Sequence, residues 1–215
     1  VIVHFANSTE EQVDRIAALG CIVSSNPYYP VGFADKFGEV GLGPQRADLM
    51  TRNRSVLERG VPLSFHSDLP MGRSDPIGMM SCAVNRITQS GRVAAPEQRL
   101  SIEQALRAVT IDAAHSWRKE DDLGSIKVGK IANFTVVDEN PLDAAPIRLD
   151  EIEVIGTVFR GEWFAVPDDV RERAAAAASR GPGALQLIAG SGAHDDHGGA
   201  GCICDVARAV LRSIA

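Results

Sequence analysis

The chain has 215 residues, 45% of them hydrophobic and 23% charged, with a formal net charge of −6. That length allows one or two domains with a real core, and no apolar run approaches the roughly 18 residues a membrane span needs. Lys and Arg are nowhere concentrated, which argues against a phosphate-tracking surface and so against a nucleic-acid partner.

Val1-Ile2-Val3-His4-Phe5 reads as a buried strand, with no charged n-region, apolar h-region or cleavage site before it. A chain that opens inside a strand without methionine is expected to be a piece of something longer. Ser8-Thr9-Glu10-Glu11 offers a capping box with Ser8 as N-cap. Val13, Ile16, Ala17 and Leu19 continue at helical spacing until Gly20 stops the helix. Cys21-Ile22-Val23-Ser24 is a second short strand, closed by Asn26-Pro27. The strand–helix–strand order with short links implies parallel strands joined by a crossover.

Residues 28–44 are rich in Gly, Pro and aromatics (Tyr28, Tyr29, Phe33, Phe37), and they predict a long loop carrying substrate contacts. A helix over 46–59 ends at Gly60. The apolar run from Val61 to Phe65 then leads through His66 and Ser67 to Asp68, whose end of the strand should face the same side as His4 and Asn26. A helix follows near 76–89. Ser101-Ile102-Glu103-Gln104 is a second capping box, opening a helix to about 109, and Thr110–Ala114 leads into another helical turn. After Gly124 the pattern changes to strands at Ser125-Ile126, 133–137, 154–159 and 163–165, the last two joined by a tight turn at Arg160-Gly161-Glu162-Trp163. From Pro167 the chain becomes Ala-, Gly- and Arg-rich, which predicts a flexible tail with a short amphipathic helix over 205–214.

Cys21 and Cys82 read as small buried hydrophobes. Cys202 and Cys204 are too close for an ordinary disulfide, so a reducing, cytoplasmic setting is expected. His194, His197, Cys202 and Cys204 are metal-compatible residue types whose spacing matches no familiar zinc module.

The stretch Leu123-Gly124-Ser125-Ile126-Lys127-Val128-Gly129-Lys130-Ile131-Ala132-Asn133-Phe134-Thr135-Val136-Val137-Asp138 resembles the "GSI-x-x-GK-x-AD-hydrophobic" segment of the amidohydrolase superfamily. Asn133 stands where that pattern usually has Asp. Leu100–Leu106 with Thr110–Ala114 resembles the family's last barrel helix, Pro62–Pro70 its eighth strand, and Val1–His4 its sixth. The likeness runs over residues 1–166, nearest to the amidohydrolase 3 branch of N-acyl and formamide hydrolases. It implies an α/β fold: a partial (β/α)8 TIM-like barrel (last three strands) over 1–122, β-sandwich strands over 123–166, and a tail over 167–215.

The same resemblance implies a divalent metal, zinc by ligand type, with His4 and Asp68 as metal ligands. Asp68 would also be the catalytic proton carrier in attack of an activated water on the C–N bond of a small-molecule amide. His66 and Asn26 are the candidates for substrate binding, and His115, on the last helix, reads as structural. The paired histidines of strand one and the ligands of strands four and five have no counterpart here, so the chain alone is expected to show little or no activity. The alternatives are a deaminase of the same superfamily and a non-catalytic binding or scaffold protein that keeps the fold without the metal. Exposed strand edges predict association, including a homo-oligomer.

Overall fold

The computed structural model describes residues 1–172, and they are α/β. Three short parallel strands, β1 (Ile2–His4), β2 (Val23–Ser25) and β3 (Leu63–Phe65), lie in the order β1-β2-β3. His4 is level with Ser25, and Ser25 with Phe65, so all three strands end along one edge. Parallel order follows from the crossovers: α1 (Glu10–Ala18) links β1 to β2, and helical segments link β2 to β3. The first capping box starts one residue later than expected. Thr9 is the N-cap, its hydroxyl accepting from the Gln12 N–H, and the Gln12 side chain returns to the Thr9 N–H at 2.9 Å.

Three expectations are corrected. The first strand is exposed at Ile2, Val3 and His4, and only Phe5 among the first five residues is buried. The reason is its place at the sheet edge, where β2 is its only strand partner among the described residues. Residues 28–44 are largely helical rather than a loop. α2 (Tyr28–Glu39) follows β2 directly, and α3 (Pro44–Asp48) follows α2. Pro30 sits in the first turn of α2, where a missing N–H costs nothing, and Tyr29, Phe33 and Phe37 recur every fourth residue on one stripe. Finally, Ser125-Ile126 is not a strand. Lys130 Nζ donates to the carbonyls of Glu120 and Leu123, and the Ile131 N–H to Asp122 O, which closes this segment as a loop.

The helix expected over 46–59 breaks between α3 and α4 (Asn53–Glu58). Thr51 takes a left-handed backbone (φ 50°) and donates its N–H to Ala6 O, just past β1. The cause lies after α5 (Pro76–Asn85), which ends at the left-handed Arg86 (φ 52°). Arg86 is 1% exposed, and its guanidinium donates to the carbonyls of Ala94, Thr51, Asp48 and Met50 at 2.7–3.1 Å. One buried side chain thus holds two turns that are distant in sequence. Burial pushes its pKa down to about 10, so the group stays charged at neutral pH.

The core gathers Val13, Val23, Tyr28, Val56, Leu63 and Met80 between the sheet and its helices. α6 (Ile102–Val109) opens on the Ser101–Gln104 capping box as expected, and with α7 (Ile111–Ser116) packs on β3. A second sheet is antiparallel: β4 (Phe134–Val137), β5 (Val154–Phe159) and β6 (Glu162–Ala165), in that order. Gly156 faces the Trp163 ring so closely that a Cβ there would collide with it. The 3-10 turn Pro146–Glu151 buries Leu149 in the main core, and Asn85 Nδ2 donates to Pro146 O at 2.7 Å. The tail residues His194, His197, Cys202 and Cys204 lie outside the described residues.

Candidate active site

The common edge where β1, β2 and β3 end brings His4, His66 and Asp68 together. His4 Nδ1 is 3.5 Å from Asp68 Oδ2 and 3.2 Å from His66 Nε2, and the Tyr29 hydroxyl of α2 lies 3.3 Å from the same nitrogen. Three polar partners therefore converge on one imidazole atom. His4 (φ 67°) and Asp68 (φ 55°) both hold left-handed backbones, a conformation worth about 1–3 kcal/mol of strain for a residue with a Cβ. Such strain gathers at functional sites, and among the described residues it is also found at structural positions such as Thr51 and Arg86.

β3 ends at Phe65, so strand alternation does not carry through to Asp68. The left-handed turn at Asp68, closed by the Met71 N–H on Asp68 O at 2.7 Å, swings its carboxylate toward His4 instead. His66 is half-buried. Its Nδ1 lies 2.9 Å from Ser24 Oγ, and its N–H donates to Ser25 O at 3.0 Å. Burial, and then the neighbouring His4 ring, hold His66 below the ordinary imidazole value against a smaller opposite pull from Asp68, so His66 is neutral at pH 7. Burial and the nearby Asp68 raise the Tyr29 phenol above its usual value, which keeps it a proton donor.

Asn26 does not present a free group to a substrate. It is 0% exposed; its Nδ2 donates to Ser67 O at 3.2 Å and its Oδ1 accepts the Tyr28 N–H at 3.0 Å. Buried Asn amides are ordinarily satisfied in this way. Ser24 enters the site, and nothing in its sequence context marks it. The one usable clue is that β2 pairs Ser24 with Ser64, two residues short of His66. Outward from Tyr29 the aromatic stripe continues, with Phe33 6.0 Å from Tyr29 and stacked at 5.3 Å on Phe37. His115, on α7, lies 2.8 Å from Glu120, away from the strand ends.

Two nitrogen or oxygen ligands about 2.1 Å from a tetrahedral ion lie about 3.4 Å apart, close to the 3.5 Å between His4 Nδ1 and Asp68 Oδ2. The pair fits two corners of a zinc site. Among the described residues, no group of three His, Cys, Asp or Glu is placed to hold a metal ion, so any remaining ligands would have to lie elsewhere.

A family model described as "Amidohydrolase family" matches residues 1–165. The chain belongs to the amidohydrolase family. Within the family, an N-substituted formamide deformylase of Arthrobacter pascens is 35% identical over 150 residues, covering 70% of this chain and 28% of its own length. An imidazolonepropionase of Bacteroides fragilis is 26% identical over 158 residues, 74% of this chain and 33% of its own. This amidohydrolase chain thus spans about a third or less of the length of these curated relatives. Among solved structures, an uncharacterized metal-dependent hydrolase from Pyrococcus furiosus is similar at a TM-score of 0.53 and 27% identity, covering 66% of this chain and 28% of that one. An adenosine deaminase from Xanthomonas campestris with bound zinc gives 0.55 at 21% identity, over 83% and 40%, a likeness of fold alone.

Proposed function

We propose that this chain supplies strands six to eight of a (β/α)8 barrel, followed by β-sandwich strands over 123–166, in a metal-dependent hydrolase that cleaves the C–N bond of a small amide or formamide. The observation that carries this reading is the convergence of His4 and Asp68, each in a left-handed backbone, at the C-terminal edge of parallel strands. That edge is where barrel enzymes keep their chemistry. The 35% identity to an N-substituted formamide deformylase supports a formamide-like substrate over the deaminase reading.

His4 and Asp68 would hold the divalent ion, zinc by their chemistry, with further ligands from outside the described residues. When bound, such an ion lowers the pKa of water and polarises a carbonyl. Asp68 takes the proton from the attacking water as the new C–O bond forms at the amide carbon. It then returns that proton to the leaving nitrogen as the C–N bond breaks, giving a carboxylic acid and an amine. Neutral His66, its Nδ1 held by Ser24, presents Nε2 toward the reacting group. The Tyr29 hydroxyl, beside His4, is a second donor for the substrate carbonyl. A small-molecule substrate accords with the family match; no helix of the described residues is long and apolar enough to cross a membrane.

The test is elemental analysis of the full-length protein and of its His4→Ala and Asp68→Asn variants, with N-ethylformamide turnover measured alongside. Zinc that falls in His4→Ala, with activity lost in both variants, is the expected result. A metal-free, inactive parent that neither change affects would replace the hydrolase with the non-catalytic scaffold reading.

A further inference from the structure

Asp68 sits in a ten-residue connection, residues 66–75, between β3 and α5, and a left-handed backbone at a non-glycine residue persists only where its surroundings hold it. Two side chains from the junction of β2 and α2 grip this connection on both sides of Asp68. On the near side, the wholly buried Asn26 donates from Nδ2 to Ser67 O, the carbonyl immediately before Asp68. Its Oδ1 is fixed in turn by the Tyr28 N–H. On the far side, the Tyr28 hydroxyl donates to Arg73 O at 3.1 Å and lies 3.3 Å from Asp75 O. Between these holds the connection folds back against the Tyr28 ring at Gly72, where an added Cβ would come within 2.8 Å of Ser67 O. Burial raises the Tyr28 phenol far above its usual range, so it acts here only as a donor.

We propose that Asn26 and Tyr28 are positioning residues for Asp68: they clamp residues 67–75 so that the carboxylate is aimed at His4 before any substrate arrives. Neither touches the reacting atoms; each acts through the backbone that bears Asp68. The proposal rests on Asp68 as the proton-transferring carboxylate. It replaces the expectation that Asn26 orients substrate, because Asn26 has no exposed atom to offer. Misplacing a catalytic group by about 1 Å costs on the order of 100-fold in rate, and loss of a residue that orients an active group costs roughly 10–100-fold.

The experiment uses the full-length, zinc-loaded protein with Asn26→Asp and Tyr28→Phe. The first keeps the acceptor for the Tyr28 N–H and, as the carboxylate, sets an acceptor oxygen against Ser67 O where the donor stood. The second keeps the ring against Gly72 and removes only the hydroxyl. N-ethylformamide kinetics and crystal structures are read for both. The expected result is kcat lower by about 10–100-fold in Asn26→Asp and by about tenfold in Tyr28→Phe, with KM within twofold and Asp68 out of the left-handed region in Asn26→Asp. Folded variants that keep both kcat and the Asp68 backbone unchanged overturn the proposal. If Asn26→Asp does not fold, Tyr28→Phe decides by the same criteria. If the parent hydrolyses nothing, the reading of Asp68 as proton carrier fails separately, and the Asp68 backbone in the two crystal structures still decides whether the clamp exists.

Discussion

Replacing Arg86 by Met keeps most of the apolar stem and removes the group that donates to four carbonyls, those of Asp48, Met50, Thr51 and Ala94. A buried acceptor left without its donor costs about 1–3 kcal/mol. Thr51 O keeps the Asn53 N–H and Asp48 is only part-buried, so the Met50 and Ala94 carbonyls carry the loss, together about 4 kcal/mol at the middle of that range. Part of that returns, because the arginine pays to keep a charge away from water, as its pKa of about 10 records. A net loss of about 2–3 kcal/mol remains. For a chain of 215 residues, about 2–4 °C per kcal/mol gives a melting temperature lower by about 4–12 °C, read by circular dichroism. A second pair sharpens the reasoning. Inside a helix alanine is better tolerated than glycine, but at the left-handed helix end, φ 52°, Arg86→Gly should melt above Arg86→Ala, by about 1 kcal/mol of relieved backbone strain. Arg86→Met melting within 1 °C of the parent, or alanine outperforming glycine, would refute the account.

Gly156→Val should disrupt the β4–β5–β6 sheet by about 1–3 kcal/mol, because the new side chain meets the Trp163 ring and Phe164 O; Trp163 fluorescence reports it, and an unshifted spectrum with unchanged melting counts against the packing. The Cys82 thiol is buried and its pKa is pushed up to about 12, so it should resist alkylation at pH 8 in the folded protein and react on denaturation, as peptide mass mapping would show; prompt native labelling would contradict its burial. Asp35 lies below the usual carboxylate range: burial pushes it up, but the Ser90 N–H, Thr88 and Arg92 outweigh that. Its folded pKa being depressed, its contribution is present above its unfolded value and is lost as pH falls through the folded one. The urea midpoint gap between the parent and Asp35→Asn should therefore shrink below pH 4, and a gap that stays constant to pH 2.5 would show that the carboxylate is not the source.

What was legible in the sequence was mostly local. Short apolar runs ending in His4, Asn26-Pro27 and Asp68 marked three strand ends on one side, because strand length and termination are written in neighbouring residues. The Ser101–Gln104 box and the hairpin over 154–165 were readable for the same reason. α2 was not, since Pro30, Gly32 and Gly38 look like loop punctuation until the first-turn place of Pro30 and the stripe of Tyr29, Phe33 and Phe37 are seen against their neighbours. The break at Thr51 depends on Arg86, 35 residues away, and no window of sequence contains both. In the site, His4 and Asp68 were visible as strand-end residues and through the family resemblance. The part Ser24 plays beside His66 arises only from the register of β2 on β3, and the burial of Asn26 only from the fold around it.

β2 has a role that its short, serine-rich sequence does not advertise. It is the middle strand, and Ser24, Ser25 and Asn26 at its end hold respectively the ring of His66, the N–H of His66 and the carbonyl before Asp68, while the Asn26 N–H also donates to His4 O at 3.2 Å. The backbones of the two outer strands are thus both gauged from one common ruler. Three consecutive residues of one strand set where both His4 and the turn bearing Asp68 lie, although neither of those two residues is itself buried.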